Sequence, residues 1–199
     1  MLNFTGWKIK RITKKIKAMQ ANRVSNQPTD EVLKKEIAYY FELAALFNKL
    51  KGHKKYPYAA VMEEECYLAA ASLENAEAHY QLGKMYLEEG RFRQELEAQG
   101  IYNSENNTKQ RNAIYEAAHL HLLAADKLQH IQAKRLRGLS IINGWGTESD
   151  KDRGFELVVA SIDQEESWDK VPQIFAAIGL NKPEFFAAIM KRRKDTPSV

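Results

Sequence analysis

RGLSIINGWGTESDKDRGFELV, residues 137–158, holds four of the chain's ten glycines: Gly138, Gly144, Gly146 and Gly154. Two readings compete for such a cluster. A phosphate-cradling loop needs a preceding strand and a GK[ST] sequence, and this stretch has neither. The alternative is a helix that packs closely at Gly138, ends at Gly144 and reverses direction through Gly146. Asp150 then caps a second helix carrying Phe155, Leu157 and Val158. The stretch predicts two antiparallel helices joined by a tight turn.

The composition agrees with that local reading. A chain of 199 residues that is 44% hydrophobic is large enough to bury a core, as one domain or one short repeat array. Glycines and prolines are few, and tracts rich in Ala, Glu, Lys and Leu run between them, which favours helix over strand. The single cysteine, Cys66, excludes an intramolecular disulfide framework and points to a reducing, cytoplasmic setting.

The helix pattern of the opening stretch recurs upstream. Setting AEAHYQLGKMYLEEG (76–90) beside IQAKRLRGLSIING (131–144) with Gly83 over Gly138 places Ala78 over Ala133 and Tyr86 over Ile141. Small-residue segments accompany these helices at LAAAS (68–72), LLAAD (122–126) and VVASI (158–162). Paired helices therefore repeat along the chain. These residues resemble the Sel1-like repeats, a branch of the tetratricopeptide-type solenoids. Ala76, Glu77, Ala78, Tyr80, Leu82, Gly83 and Tyr86 match the first half of that family's pattern, with Ala70 and Ala71 as the preceding pair. Gly138, Gly144, Gly146 and Asp150 match the turn of the next repeat, and Gly154 stands where the pattern has alanine.

The resemblance implies an all-α fold: a short α-solenoid of antiparallel helix pairs over residues 58–162, with extra N- and C-terminal helices. Gly83 and Gly138 are farther apart than one repeat of about 36 residues, so an insertion is expected at 91–110. Its Gly, Asn and Ser content reads as an exposed loop over 99–110. The family turn of the first repeat falls at Glu89–Arg91, with only Gly90 between them. Residues 163–194 read as two capping helices, one ended by Gly179 and the next opened by Asn181 and Pro183. The last ends in Lys191, Arg192, Arg193 and Lys194, favourable at a helix C-terminus.

Ahead of the repeats, residues 29–52 form a flanking helix with Thr29 or Asp30 as cap and Gly52 as stop. Residues 1–23 carry Lys8, Lys10, Arg11, Lys14, Lys15, Lys17 and Arg23 with no acid. Removing those seven charges from the total of +4 leaves the remainder at −3. Ile9, Ile12, Ile16 and Met19 fall on one helical stripe, with Trp7 before them. Such a basic amphipathic helix suits an anionic membrane surface, contacted by Trp7, Lys8, Lys10, Arg11, Lys14, Lys15 and Lys17. It equally suits a first helix docking on its own domain. The start is no secretory signal, because lysines interrupt every apolar run, and no run is long enough to cross a membrane.

Residues suited to catalysis are sparse. His119 and His121 are two apart on a helix and point to different faces, so they lack metal-ligand spacing. Glu63, Glu64 and Glu65 read as a solvated acidic face, and Cys66 as a buried packing thiol. No catalytic residue, metal, cofactor, nucleic acid or small-molecule substrate is expected. The expected function is a non-catalytic scaffold or adaptor that binds a partner protein's peptide or helix, in bacteria if the resemblance holds. The partner-binding face is Glu77, Gln81, Lys84 and Glu88 on one repeat helix, with Gln132, Leu136, Leu139 and Asn143 at the matching positions of the next. That face is either an open groove or is closed, with its leucines packed on the C-terminal helices. The alternative is a peripheral membrane-surface protein recruited by residues 1–23.

Overall fold

The turn after Gly138 is built as its residues dictate. Helix α6 (Ile131–Asn143) ends at Gly144, whose left-handed backbone, φ +69°, lets its N–H reach the carbonyls of Ser140 and Ile141. Gly146 is also left-handed at φ +71°. Helix α7 (Lys151–Gln164) begins at Asp150, whose carboxylate accepts the Arg153 N–H at 3.0 Å. The two helices cross where a Cβ on Gly138 would lie 2.6 Å from the Gly154 carbonyl oxygen. Gly154 meets Ile142 and the Gly138 carbonyl in the same way. Backbone touches backbone there, and no side chain larger than hydrogen fits.

This computed structural model describes residues 2–25, 27–180 and 182–195, with side chains over 4–23, 27–180 and 182–191. Asn181 and the side chains of Arg192, Arg193 and Lys194, named above, lie outside the described residues. The fold is all-α, built of packed adjacent helix pairs, with no strand among the described residues. The chain divides into two compact units, Met1–His79 and Tyr80–Val199, with the boundary inside α4.

In the first unit, α1 (Leu2–Ser25), α2 (Asp30–Asn48) and α3 (Ala59–Ala71) pack in chain order. Thr29 caps α2 by accepting from the Val32 N–H. Helix α1 runs antiparallel to α2: Lys8 pairs with Glu42 at 2.7 Å, and Gln20 Nε2 donates to the Tyr40 hydroxyl at 2.8 Å. Ile12 and Ile16 of the isoleucine stripe are buried, with Ile9 and Met19 half-buried. The stripe is spent on the protein's own packing. Across α2 and α3, Phe41 meets Tyr67 edge-on at 5.5 Å.

One sequence expectation fails here. Glu63 is 3% exposed and not on a solvated face; it pairs with Lys51 and accepts from Asn48 Nδ2 at 2.8 Å. The packing of α2 on α3 removes water from it and supplies both partners in return. Glu64 is half-buried and Glu65 exposed. Cys66 is buried as expected, and burial pushes its thiol up to about 12.

The second unit holds most of α4 (Ala76–Ala98), with α5 (Glu105–Lys127), α6, α7, α8 (Val171–Ile178) and α9 (Pro183–Asp195). Gly83 fits against Leu122 and Gly90 against the Tyr115 ring, so α4 and α5 are antiparallel. Gly90, between Glu89 and Arg91 where the resemblance implies a turn, instead lies mid-helix, and its missing side chain makes room for Tyr115. Gly179 ends α8 at φ +78°. Phe155, Val158 and Ile162 of α7 form one core with Phe175 of α8 and Ile189 of α9. The C-terminal helices thus cover the α6–α7 pair.

The expected loop at 99–110 is also corrected. Helix α4 runs to Ala98 and α5 starts at Glu105, leaving only 99–104 as a connection. Polar side chains hold the two extended helix ends together. Arg111 pairs with Glu97, Asn107 Nδ2 donates to Glu97 at 2.7 Å, and the Tyr115 hydroxyl donates to Gln94 at 2.7 Å. Ser104 caps α5 by accepting the Asn107 N–H at 3.2 Å. The asparagines that read as loop are a cap-adjacent first turn and a cross-helix clasp. Limited proteolysis is expected to cut first within 99–104 and to spare 105–110. Ser104→Ala, a cap loss of about 1 kcal/mol, is expected to extend early cleavage into 105–110.

Candidate functional site

A groove in the second unit runs between α4 and α6 and is closed along one side by α8. Lys84 and Glu88 of α4 and Gln132, Leu136 and Leu139 of α6 all line it, and Leu87 and Trp145 add to its floor. Its volume is about 260 Å3. A neighbouring recess of about 390 Å3 shares Arg91, Leu139, Trp145 and Ile178 with it and adds Asn143. Five of the eight residues expected on the partner-binding face therefore share one groove, and a sixth lies in its extension. Gln81 is half-buried on α4, and Glu77 is exposed on the part of α4 that belongs to the first unit.

The geometry follows from the helix repeat. Lys84 and Glu88 are four apart and share one α4 face, where they lie 4.0 Å from each other. Gln132, Leu136 and Leu139 occupy the corresponding face of α6. Both the open and the closed arrangements are partly realised. Leu139 is 3% exposed and joins the core with α7, α8 and α9. Leu136 is half-buried and packs against both cores of the unit. Ala177 and Ile178 of α8 form a wall in place of a complete cover.

Sequence reading missed the aromatic and cationic part of the groove. Trp145 stacks on Tyr115 with ring centroids 5.4 Å apart and planes 9° apart. The Arg91 guanidinium lies 5.8 Å from the Trp145 centroid. Burial pushes the Tyr115 hydroxyl up to about 12, and the nearby Arg91 and Arg111 charges oppose that rise. Trp145 follows the Gly144 cap directly, so the turn aims it back at α5. A turn signal was legible there, but its direction was not. Arg135, 9% exposed, is fully engaged: its Nε donates to the Ser161 hydroxyl at 3.1 Å and its guanidinium pairs with Glu165.

The histidines stand apart from each other as their spacing implies. His121 faces the Tyr86 ring at 5.7 Å. His119 is half-buried, and desolvation, followed by the Arg137 and Arg153 charges, holds its imidazole below its ordinary pKa. Among the described residues, no group of three His, Cys, Asp or Glu side chains is placed to hold a metal ion.

On α1 of the first unit, Trp7, Lys10, Arg11, Lys14, Lys15 and Lys17 are exposed, and Lys8 is half-buried in its pair with Glu42. Trp7 stacks on Phe4 at 5.9 Å, and the Arg11 guanidinium lies 5.3 Å from the Trp7 ring. Phe4 and Trp7 are 67% and 53% exposed. They take the place on the outer face that the isoleucines had suggested for an apolar stripe. No described helix is long and apolar enough to cross a membrane. No protein-family model, curated protein or solved structure matches the chain.

Proposed function

We propose that the protein is a non-catalytic interaction scaffold of the Sel1-like kind, binding a peptide or helix of a partner protein in the α4–α6 groove. The observation that carries this reading is the convergence of Lys84, Glu88, Gln132, Leu136 and Leu139 on one concave surface. An apolar floor with a charged and amide rim suits a helix that buries one face and hydrogen-bonds along its flanks. The test is a double charge reversal, Lys84→Glu with Glu88→Lys, at two exposed positions where stability changes by no more than about 0.5 kcal/mol. Affinity for the native partner is expected to fall by about tenfold, or roughly 1.4 kcal/mol. Wild-type affinity in the reversed variant would sink the reading.

A second reading is favoured by the exposed Phe4–Trp7 pair. With Ile12 and Ile16 docked on α2, these two aromatics and five exposed basic residues form the outward face of α1, a combination suited to an anionic membrane surface. Flotation with anionic vesicles is expected at low salt and to be lost when Phe4 and Trp7 are both replaced by alanine. Adsorption that survives both high salt and the double replacement would exclude this mode.

A further inference from the structure

A groove between α1 and α2 in the first unit lies outside the surface that the proposed scaffold function uses. It encloses about 620 Å3, within the size range of sites for small organic ligands. Ala18 and Met19 of α1 and Pro28 and Val32 at the start of α2 give it an apolar wall. Val32 is 37% exposed, although the large apolar residues further along the same helix, Tyr40, Leu43 and Phe47, are buried. The rim carries Lys15, Arg23 and Lys35, and no acidic residue is among the described residues that line the groove.

Two of these cations are held in place from within the fold. Lys15 Nζ donates to the Tyr39 hydroxyl at 3.1 Å and sits 4.9 Å from the centroid of that ring. Arg23 lies 3.7 Å from Glu36 Oε1, a carboxylate only 1% exposed that also accepts from the Tyr40 hydroxyl at 3.2 Å. Glu36 offsets one rim charge from behind. Neither Lys15 nor Lys35 has an ion-pair partner among the described residues. The groove therefore combines an apolar channel with a surplus of positive charge at its edge. A complementary ligand is apolar along its length and anionic at one end.

We propose that this groove binds a single amphiphilic anion: an acyl or alkyl chain ending in a carboxylate or phosphate. The chain lies against Met19 and Val32, and the head group meets Lys15 and Lys35. A neutral amphiphile lacks the rim interaction, and a bare anion leaves the apolar wall in water. A free long-chain acid and an anionic bilayer lipid both carry this chemistry. The site is independent of the α4–α6 groove, and neither result bears on the other.

The experiment is calorimetric titration of the full chain with laurate and dodecyl phosphate below their micelle concentrations. Dodecyl maltoside supplies the same chain with an uncharged head, and inorganic phosphate the head without a chain. One-to-one binding of both anionic amphiphiles is expected, with the two controls weaker by about tenfold or more. Val32→Asp and Lys35→Glu, both at exposed positions, are expected to weaken laurate by about tenfold, whereas Lys54→Glu, exposed and outside the groove, leaves it within about twofold. Circular dichroism verifies that each variant is folded. Flotation on phosphatidylglycerol vesicles then separates the sources. A loss larger for Lys35→Glu than for Lys54→Glu assigns a bilayer lipid, and equal losses assign a free amphiphile. Absence of laurate binding, equal binding of dodecyl maltoside, or undiminished laurate binding by both groove variants would each overturn the proposal.

Discussion

Replacing Gly146 with alanine is expected to destabilise the Tyr80–Val199 unit by about 3 kcal/mol or more, from a left-handed backbone that costs an L residue roughly 1–2 kcal/mol and overpacking of roughly 1–3 kcal/mol. The overpacking is severe because the obstacle cannot rotate away. An added Cβ would lie 2.1 Å from the Tyr115 carbonyl oxygen and 2.4 Å from its carbon. Those atoms belong to the interior of α5, so relief requires moving a helix. The turn would lift from α5 and take the Trp145–Tyr115 stack with it. Thermal unfolding of the variant is expected roughly 10 °C lower, and a midpoint within about 2 °C of wild type would show that the turn does not approach α5 this closely.

Gly138→Leu is expected to cost about 3 kcal/mol, the upper end of the usual overpacking range. Here two terms oppose each other. Any side chain at a mid-helix glycine gains up to about 1 kcal/mol of helix propensity. Against that, even the first added carbon stands 2.6 Å from the Gly154 carbonyl oxygen and 2.9 Å from a Val158 methyl. The clash outweighs the propensity, and the remaining three carbons of leucine add to it. Gly138→Ala is therefore expected to be the milder change, ordering the denaturation midpoints as wild type, alanine, leucine. An unchanged leucine midpoint would mean that α6 and α7 do not touch at this residue.

These two glycines also show what sequence could and could not tell. The cluster at 138–154 was legible because each glycine answers a local demand: a close approach, a helix stop, a reversal. Helix stripes were legible for the same reason, since periodicity encodes a buried face. What covers the face is not encoded locally. The isoleucines of α1 read equally as a membrane stripe or a docking stripe, and only the position of α2 decides for Ile12 and Ile16. Gly90 read as a remnant of a turn because Tyr115, 25 residues later, gives no local sign that its ring fills that space. Glu63 looked solvated because its partners, Asn48 and Lys51, come from the preceding helix and its turn. In the groove, helical spacing brought the charged and amide rim within reach of sequence, whereas the Arg91, Trp145 and Tyr115 layer depends on three separate elements meeting.

The extended ends of α4 and α5 have a consequence for motion. Their clasp is polar, formed by Glu97 with Asn107 and Arg111, while Phe92, Ile101 and Tyr102 remain largely in solvent. Opening this arm uncovers little additional apolar surface, so it proceeds with a small change in heat capacity, and its free energy varies with temperature with little curvature. The core around Ala118 and Leu122 is buried apolar packing and opens at a much higher free energy. The second unit therefore has two tiers of fluctuation along one continuous pair of helices. Amides near 93–111 are set to exchange with solvent through frequent local opening, and those near 118–125 only when the unit unfolds as a whole.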